Sequence, residues 1–245
     1  ERAVASVCAR LRDADYLVRQ AAWSALVQVA EKGDERAIAS VYARLEDSSW
    51  PVRQSALSAL AQVAKKGDAR AIARVYARFE DTDTDVRHAA LSALAEIAQK
   101  GDEQIIASVS ARLKHAEWDV RQVAVSALAQ VAEKGDARAI ASLCARLEDA
   151  DWRVRDAAVS ALAQVAEKGD ERAISGVCAR LQHVRTAVRQ AALSALAKVA
   201  DRGDEHAIAG VCACLEHTRR EVRQVAWSAL AQVADKGNEQ AIVSV

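Results

Sequence analysis

Histidine and cysteine are the residues of this sequence with the clearest chemical potential, and each occurs five times. They are His88, His115, His183, His206 and His217, and Cys8, Cys144, Cys178, Cys212 and Cys214. An enzyme would be expected to hold such groups in a motif such as Gly-x-Ser-x-Gly, His-Glu-x-x-His or Cys-x-x-Cys, and the sequence contains none of these. It also lacks the glycine-rich loop that holds phosphates. We therefore expect no catalytic residue, no metal site and no cofactor.

The spacing of the cysteines argues against disulfide bonds. Four of them stand at one position of a repeating pattern, namely Cys8, Cys144, Cys178 and Cys212. Equivalent atoms of stacked helices lie about 10 Å apart, whereas a disulfide needs Cα atoms within about 7 Å of each other. Cys214 follows Cys212 by two positions, so the two point to different faces of a helix. The sequence therefore predicts five free thiols and a reducing intracellular compartment, by default the cytoplasm.

The pattern behind these positions is a repeat of 34 residues. Glycine returns at this interval, at Gly33, Gly67, Gly101, Gly135, Gly169, Gly203 and Gly237. Arginine returns in step, at Arg19, Arg53, Arg87, Arg121, Arg155, Arg189 and Arg223. A fixed period of this length is typical of a stacked repeat array. The sequence predicts a single array over 1–245, with units 1–33, 34–67, 68–101, 102–135, 136–169, 170–203 and 204–237 and a partial unit 238–245.

Each unit predicts two helices that are joined by a short turn. In the second unit, Asp34 is a suitable N-cap and apolar residues at helical spacing predict a first helix over about 35–46. A second helix is predicted over about 50–66. Its first turn contains Pro51, where the missing backbone donor costs little. Gly67 is predicted to be the C-terminal cap of this helix.

The residues of one repeat carry a family resemblance. They are Asp151-Trp152-Arg153-Val154-Arg155-Asp156-Ala157-Ala158, then Ala161-Leu162, Gly169-Asp170 and Ala173-Ile174. This pattern resembles HEAT repeats, particularly the short HEAT-like units of phycobilin-lyase-related proteins and of artificial repeat libraries. The resemblance covers essentially the whole chain, although the period of 34 is longer than in the commonest short unit. It implies an all-α fold, a right-handed superhelix of about seven helix pairs whose second helices line the concave face.

The resemblance also implies a structural role for the repeated arginine. In HEAT-like arrays this residue bonds to the aspartate of the preceding turn and to neighbouring carbonyls. The aspartates would be Asp13, Asp47, Asp81 and Asp149, with His115, His183 and His217 in their place in other units. A row of arginines that binds an anionic ligand is the alternative.

Polar residues repeat along the second helix, on the side opposite to its apolar stripe. Gln54, Ser58 and Gln62 lie opposite Ala56 and Leu60 on a helical wheel. This face offers both hydrogen-bond donors and acceptors, and a merely solvated surface is the alternative. The candidate binding residues of the concave face are Tyr16, Gln20, Trp50, Gln54, His88, Trp118, Gln122, Trp152, Arg153, Asp156, Gln190, Arg220 and Gln224.

Three of the five tryptophans, Trp50, Trp118 and Trp152, stand at the same unit position, where the second helix begins. Aromatic residues on a rigid scaffold are good interface anchors, but rings at this position would alternatively seal the edge between repeats, and both interpretations stay open. Trp23 and Trp227 replace leucine or valine of other units, and we expect both in the core.

Composition limits the function classes. The 34 basic residues balance the 34 acidic ones, which argues against nucleic-acid binding, and no apolar run approaches the roughly 20 residues of a membrane span. HEAT-like metal hydroxylases rely on His-Glu pairs, and no histidine here precedes a glutamate. The predicted function is a scaffold that binds a protein or peptide on the concave face. The alternatives are a bilin-handling lyase or chaperone and, with less support, a binder of single-stranded nucleic acid.

The two ends of the sequence lie within first helices, and complementary ends could associate head to tail or belong to a longer array. The regularity of the repeats is also compatible with an engineered protein. The apolar residues expected to be exposed at the ends are Val4, Val7 and Leu11, and Val233, Ile242 and Val245.

Overall fold

The computed structural model describes residues 2–11, 13 and 15–234, without the side chain of Tyr16. Fourteen helices and no strands occur in this part of the chain, which confirms the predicted all-α fold. The first helices of the repeats are α1 Arg2–Arg10, α3 Glu35–Tyr42, α5 Ala69–Ala77, α7 Glu103–Arg112, α9 Ala137–Arg146, α11 Glu171–Arg180 and α13 Glu205–Cys212. The second helices are α2 Tyr16–Val29, α4 Trp50–Val63, α6 Thr84–Ile97, α8 Trp118–Val131, α10 Trp152–Val165, α12 Thr186–Val199 and α14 Arg220–Val233.

The helices belong to two compact units, Glu1–Asp102 with α1 to α6 and Glu103–Val245 with α7 to α14. In each unit a first helix packs on its own second helix, and successive second helices pack on each other. The apolar stripes of the first and second helices together form the core, and equivalent leucines of the second helices such as Leu60 and Leu128 are fully buried. Burying such a side chain contributes about 1.5–3 kcal/mol. That both units form one uninterrupted array stays a prediction.

The first helices begin where the sequence predicts. The side chain of Asp34 accepts hydrogen bonds from the backbone N–H groups of Arg36 and Ala37, both at 2.9 Å. Asp68 and Asp136 cap following first helices with the same two bonds, and Asp170 and Asp204 each accept one backbone N–H, from Ala173 and Ala207. Caps of this kind each contribute about 1 kcal/mol.

The helices end earlier than predicted. The second helix of the second repeat ends at Val63 instead of residue 66, because Ala64 is extended, with ψ of 148°. The first helix ends at Tyr42 instead of residue 46, and the chain continues in tighter turns, such as the one closed by the Arg44 N–H and the Val41 carbonyl at 2.9 Å.

Gly67 is a turn residue and not the predicted helix cap. It has φ of 81° in a tight turn that the Asp68 N–H closes on the Lys65 carbonyl at 3.1 Å. A positive φ at this turn position favours glycine. The Gly67 N–H donates to the Ile97 carbonyl at the end of α6, at 2.7 Å. The repeated glycine therefore links its own repeat to the next one, and Gly33, Gly135, Gly169 and Gly203 make the same bond.

The expected apolar surfaces at the ends of the array are wrong for three of the four described residues, and the fourth, Val7, is half-buried. Val4 and Leu11 are 3% and 1% exposed, because α1 packs on α2 and α3, and Val233 is 2% exposed within α14. The exposed apolar residues near the start are instead on α2, where Leu17 is 68% and Val29 is 44% exposed. Ile242 and Val245 lie outside the described residues.

The two tryptophans expected in the core differ in their exposure to solvent. Trp23 is 7% exposed, which confirms the prediction, but Trp227 is 44% exposed, so the prediction is wrong there. Trp227 lies on α14, the last described helix, which packs on α12 and α13, and no later described helix covers its other side.

Candidate functional site

A groove of about 550 Å³ crosses the second helices α2, α4 and α6 of the first unit. Its apolar part contains Trp23 and Val27, together with small alanine side chains. Its polar part consists of amide and hydroxyl side chains, most of which recur at the repeat interval, with one carboxylate. They are Gln20, Ser24, Gln28, Gln54, Ser55, Ser58, Gln62, Ser92 and Glu96. Glutamine and serine side chains offer both donors and acceptors, so the groove can match the alternating N–H and C=O groups of a peptide backbone.

Hydrogen bonds within the groove determine which polar groups remain for a ligand. Ser58 and Ser92 donate their hydroxyl protons to the carbonyls of Gln54 and His88, at 3.3 and 3.2 Å. Their oxygen lone pairs remain as acceptors for ligand N–H groups. Gln62 Nε2 donates to Glu96 Oε2 at 2.8 Å, which fixes the orientation of its amide. The carboxylate of Glu96 is therefore partly used within the groove.

The structure places the first-unit candidates in different surroundings. Gln20 and Gln54 line the groove. His88 is exposed on α6, and Trp50 is 42% exposed at the start of α4, and neither is among the lining residues. The side chain of Tyr16 lies outside the described part of the chain.

In the second unit, three candidate residues come together at the starts of α8 and α10. The guanidinium carbon of Arg153 lies 4.5 Å from the centre of the Trp118 ring and 4.9 Å from that of the Trp152 ring. Trp152 is 60% exposed and Trp118 is half-buried. The two rings therefore form one surface with a cation on it, and Trp118 is not sealed into the core.

The remaining candidates are spread along the second helices of this unit. Asp156 is exposed on α10, one turn after Trp152, and Gln122 is half-buried on α8. The others lie exposed on α12 and α14, and they are Gln190, Arg220 and Gln224.

The repeated arginines serve the fold, but with a different partner from the one expected. Arg53 Nη1 donates to the carbonyls of Asp47 and Ser48 at 2.9 and 3.1 Å, as the resemblance implied. Its carboxylate partner is Asp81 in the following turn, not Asp47 in the preceding one: Nε and Nη2 donate to the two Asp81 oxygens at 2.9 and 2.7 Å. Stacking brings the turn of the next repeat to the start of the helix, so the bond joins two repeats.

This ion pair is largely shielded from water. Asp81 is 9% exposed, and its burial favours the neutral acid, but hydrogen bonds from Arg53 and from the Asp83 N–H outweigh burial and hold the pKa of Asp81 below its usual value. The bond to Asp81 also raises the pKa of Arg53. Arg121 and Asp149 form the same pair in the second unit, at 2.8 Å for both bonds.

Three histidines have a structural function that the sequence did not reveal. The Nδ1 atoms of His115, His183 and His217 accept the backbone N–H of the residue two positions on, each at 3.1 Å. Asp81 Oδ1 accepts the equivalent N–H of Asp83 at 3.0 Å. The signal for this role was the exchange of aspartate and histidine at one repeat position, because both side chains offer an acceptor there.

The five cysteines are free, and three of them are buried. Burial raises the pKa of Cys144 to about 11 and that of Cys178 to about 12. Both side chains are therefore neutral thiols at physiological pH and poor nucleophiles.

The part of the chain that the structure describes has no cluster of three or more His, Cys, Asp and Glu side chains able to hold a metal ion. Within the same residues, no helix is both long and apolar enough to cross a membrane.

Comparison with known proteins gives a family match and distant structural similarities. The family model of the HEAT repeats matches residues 1–61, 40–129 and 106–197. No curated protein gives a significant sequence match. Among solved structures, an engineered protein is 22% identical at a TM-score of 0.44, and the similarity covers 94% of this chain and 68% of that one.

Two further structures are similar over nearly their whole length. Human deoxyhypusine hydroxylase in complex with glycerol is 18% identical at a TM-score of 0.44, covering 95% of this chain and 96% of that one. A designed armadillo repeat protein in complex with the peptide (KR)4 is 19% identical at a TM-score of 0.37, covering 94% of this chain and 99% of that one.

Proposed function

Since this chain belongs to the HEAT-repeat family, we propose that it binds an extended peptide segment of another protein along its second helices. The HEAT-repeat fold is typically a protein-interaction scaffold and is generally not an enzyme. The observation that carries the proposal is the groove across α2, α4 and α6, where serine recurs on all three helices and glutamine recurs on α2 and α4.

The spacing of this groove suits an extended chain. Equivalent residues of stacked helices, such as Gln20 and Gln54, are about 10 Å apart. An extended peptide rises about 3.3 Å per residue, so each repeat meets about three peptide residues. The amides of the groove then meet backbone groups at a regular interval, and Val27 and the alanines leave room for small apolar ligand side chains.

The second unit extends the proposal to the corresponding face of α8, α10, α12 and α14. Exposed tryptophan rings such as that of Trp152 supply large contact areas at low conformational cost. The candidates on this face are Trp118, Gln122, Trp152, Arg153, Asp156, Gln190, Arg220 and Gln224.

The test is to select peptides from a random library on the immobilised protein and to measure their affinity for two variants. Ser58→Arg places a long cation on the exposed floor of the groove and should weaken binding about ten-fold. Ala73→Arg places the same side chain on an exposed position of α5 and should leave the affinity unchanged. Equal affinities of both variants and the unmodified chain would contradict the proposal, as would equal losses in both variants.

A further inference from the structure

The ring pair of Trp118 and Trp152 already holds a guanidinium group. The guanidinium carbon of Arg153 lies within 5 Å of both ring centres, at 4.5 and 4.9 Å. Because the two tryptophans begin α8 and α10 at the same repeat position, helix stacking sets the distance between them. The spacing of the rings is therefore a fixed property of the scaffold, and it suits a planar cation.

Arg153 is held loosely in this position. Its side chain is 44% exposed, and its ion-pair contact is to Asp151 at 3.6 Å. Ion pairs and cation–π contacts are both weak at exposed positions. Arg153 can therefore swing off the rings at a small energetic cost, and the Trp152 ring is itself 60% exposed.

The charges around the rings favour a cationic ligand. Carboxylates of Glu117, Asp151 and Asp156 lie at the starts of α8 and α10, and Glu117 and Asp156 are exposed. The neighbouring basic residues are directed elsewhere. Arg155 Nη1 donates to the carbonyls of Asp149 and Ala150, both at 2.8 Å. Arg121 pairs with the Asp149 carboxylate at 2.8 Å.

We propose that the Trp118 and Trp152 rings form a binding site for an arginine side chain of a peptide ligand, and that this arginine displaces Arg153. The inference rests on the proposed peptide-binding function and names the chemistry of one subsite. A guanidinium is preferred to an ammonium because its planar group can stack on the indole faces. Asp156, one helical turn after Trp152 on the same face, pairs with the charge of the ligand.

The probes are fluorescent tetra-arginine, tetra-lysine and tetra-glutamate peptides, with binding measured by fluorescence anisotropy. Arg153→Ala should bind tetra-arginine about five-fold more tightly than the unmodified protein, because it removes the competing cation–π contact. The double variant Arg153→Ala/Trp118→Ala should lose this gain. Arg172→Ala removes the same charge from an exposed position of the first helix α11, outside the proposed binding face, and should change the affinity less than two-fold.

The outcomes separate the inference from its alternatives. The inference would be overturned if Arg153→Ala bound tetra-arginine no more tightly than the unmodified protein and lost affinity for tetra-glutamate. Arg153 would then be a receptor for carboxylates. An equal gain for tetra-lysine and tetra-arginine would overturn the inference too, since charge alone would account for the effect. If library peptides respond to Ser58→Arg while the ring variants leave tetra-arginine binding unchanged, the inference fails and the proposed function stands. If neither the groove variant nor the ring variants change the affinity of any peptide, the inference and the proposed function both fail.

Discussion

Two neighbouring junctions of the second unit have the same backbone and different chemistry. In the carboxylate junction, Arg121 of α8 makes two bonds to Asp149, in the turn before α10. In the imidazole junction, Arg155 of α10 stands at the same repeat position, and His183 replaces the aspartate in the turn before α12. Arg155 keeps its bonds to the carbonyls of Asp149 and Ala150, but no ion pair joins it to a carboxylate among the described residues.

The difference separates two functions of one position. The turn needs only an acceptor, since Asp149 Oδ1 accepts the Asp151 N–H at 3.0 Å and His183 Nδ1 accepts the Arg185 N–H at 3.1 Å. The link between repeats needs a carboxylate, and histidine does not supply one. A residue can therefore preserve the shape of a repeat while it removes a bond between repeats.

The two junctions also differ in the residues that face each other between successive first helices. At the imidazole junction, Gly176 of α11 faces Cys144 of α9, so closely that an added Cβ would lie 2.8 Å from the sulfur. At the carboxylate junction the equivalent positions hold Ser142 and Ser110. Close packing of the first helices thus accompanies the loss of the ion pair between the second helix and the next turn.

The largest expected effect comes from removing the buried carboxylate. Asp149→Ala should lower the free energy of unfolding by about 3 kcal/mol, because it leaves Arg121 without its partner. His183→Ala should cost about 1 kcal/mol, since it removes one turn bond. Urea unfolding followed by circular dichroism measures both. Equal losses in the two variants would mean that the ion pair contributes no more than the turn.

Acid should weaken the two junctions unequally. Burial favours the neutral form of Asp149, but bonds from Arg121 and the Asp151 N–H outweigh it, so its pKa lies below the usual value. The stability from this pair is therefore fully present above the unfolded pKa of about 3.9 and is lost as pH falls through the lower folded value.

The measurement is the urea midpoint between about pH 5 and pH 2, for the unmodified chain and for Asp149→Asn. The variant keeps a turn acceptor and loses the titrating group, so its midpoint should fall less steeply with acid. His183→Asn is the control for the other junction and should retain the slope of the unmodified chain in this range. Parallel curves for the chain and Asp149→Asn would refute the linkage.

Local features of the fold could be predicted from the sequence, and features that depend on the next repeat could not. Asp34 was recognisable as a helix cap because its partners are two and three residues away. The role of Gly67 was missed because its acceptor, the Ile97 carbonyl, is in the next repeat. The partner of Arg53 was misplaced for the same reason, since Asp81 is 28 positions further on.

In the candidate sites, too, positions set by one helix could be predicted from the sequence, whereas contacts between helices could not. Gln20 and Gln54 were placed on the groove face by helical periodicity, and the structure puts both in its lining. The stacking of Arg153 on Trp118 could not be derived, because it depends on a distance between helices in space. Glu96 was missed, although it stands where other repeats have glutamine, and this departure from the repeat was the available signal.

The packing of the first helices gives an intermediate effect. Gly176→Ala should lower the free energy of unfolding by about 1 kcal/mol, because overpacking against Cys144 exceeds the gain in helix propensity. In a Cys144→Ala background the sulfur is gone, and the same substitution should stabilise the protein by up to about 1 kcal/mol. A double-mutant cycle measures the coupling. Additive effects would show that glycine is not required by this contact.

The smallest effect, and the most direct conversion of one junction into the other, comes from His183→Asp. The new carboxylate can accept the Arg185 N–H and face Arg155, as Asp149 does for Asp151 and Arg121. We expect a gain of up to about 1 kcal/mol, since the site is partly exposed and exposed ion pairs contribute little. Glu148 lies 3.8 Å from His183 Nε2 and would oppose a second negative charge, but Arg180 Nε lies 3.0 Å from Glu148 and offsets it.

The control for this conversion is His183→Asn, which supplies an acceptor for the turn and no charge. It should leave the urea midpoint unchanged, whereas His183→Asp should raise it. Adding Arg155→Ala should abolish the gain of His183→Asp, because the arginine is the partner of the new carboxylate. A gain that survives Arg155→Ala would come from the turn itself, and the distinction between turn acceptor and junction carboxylate would then fail.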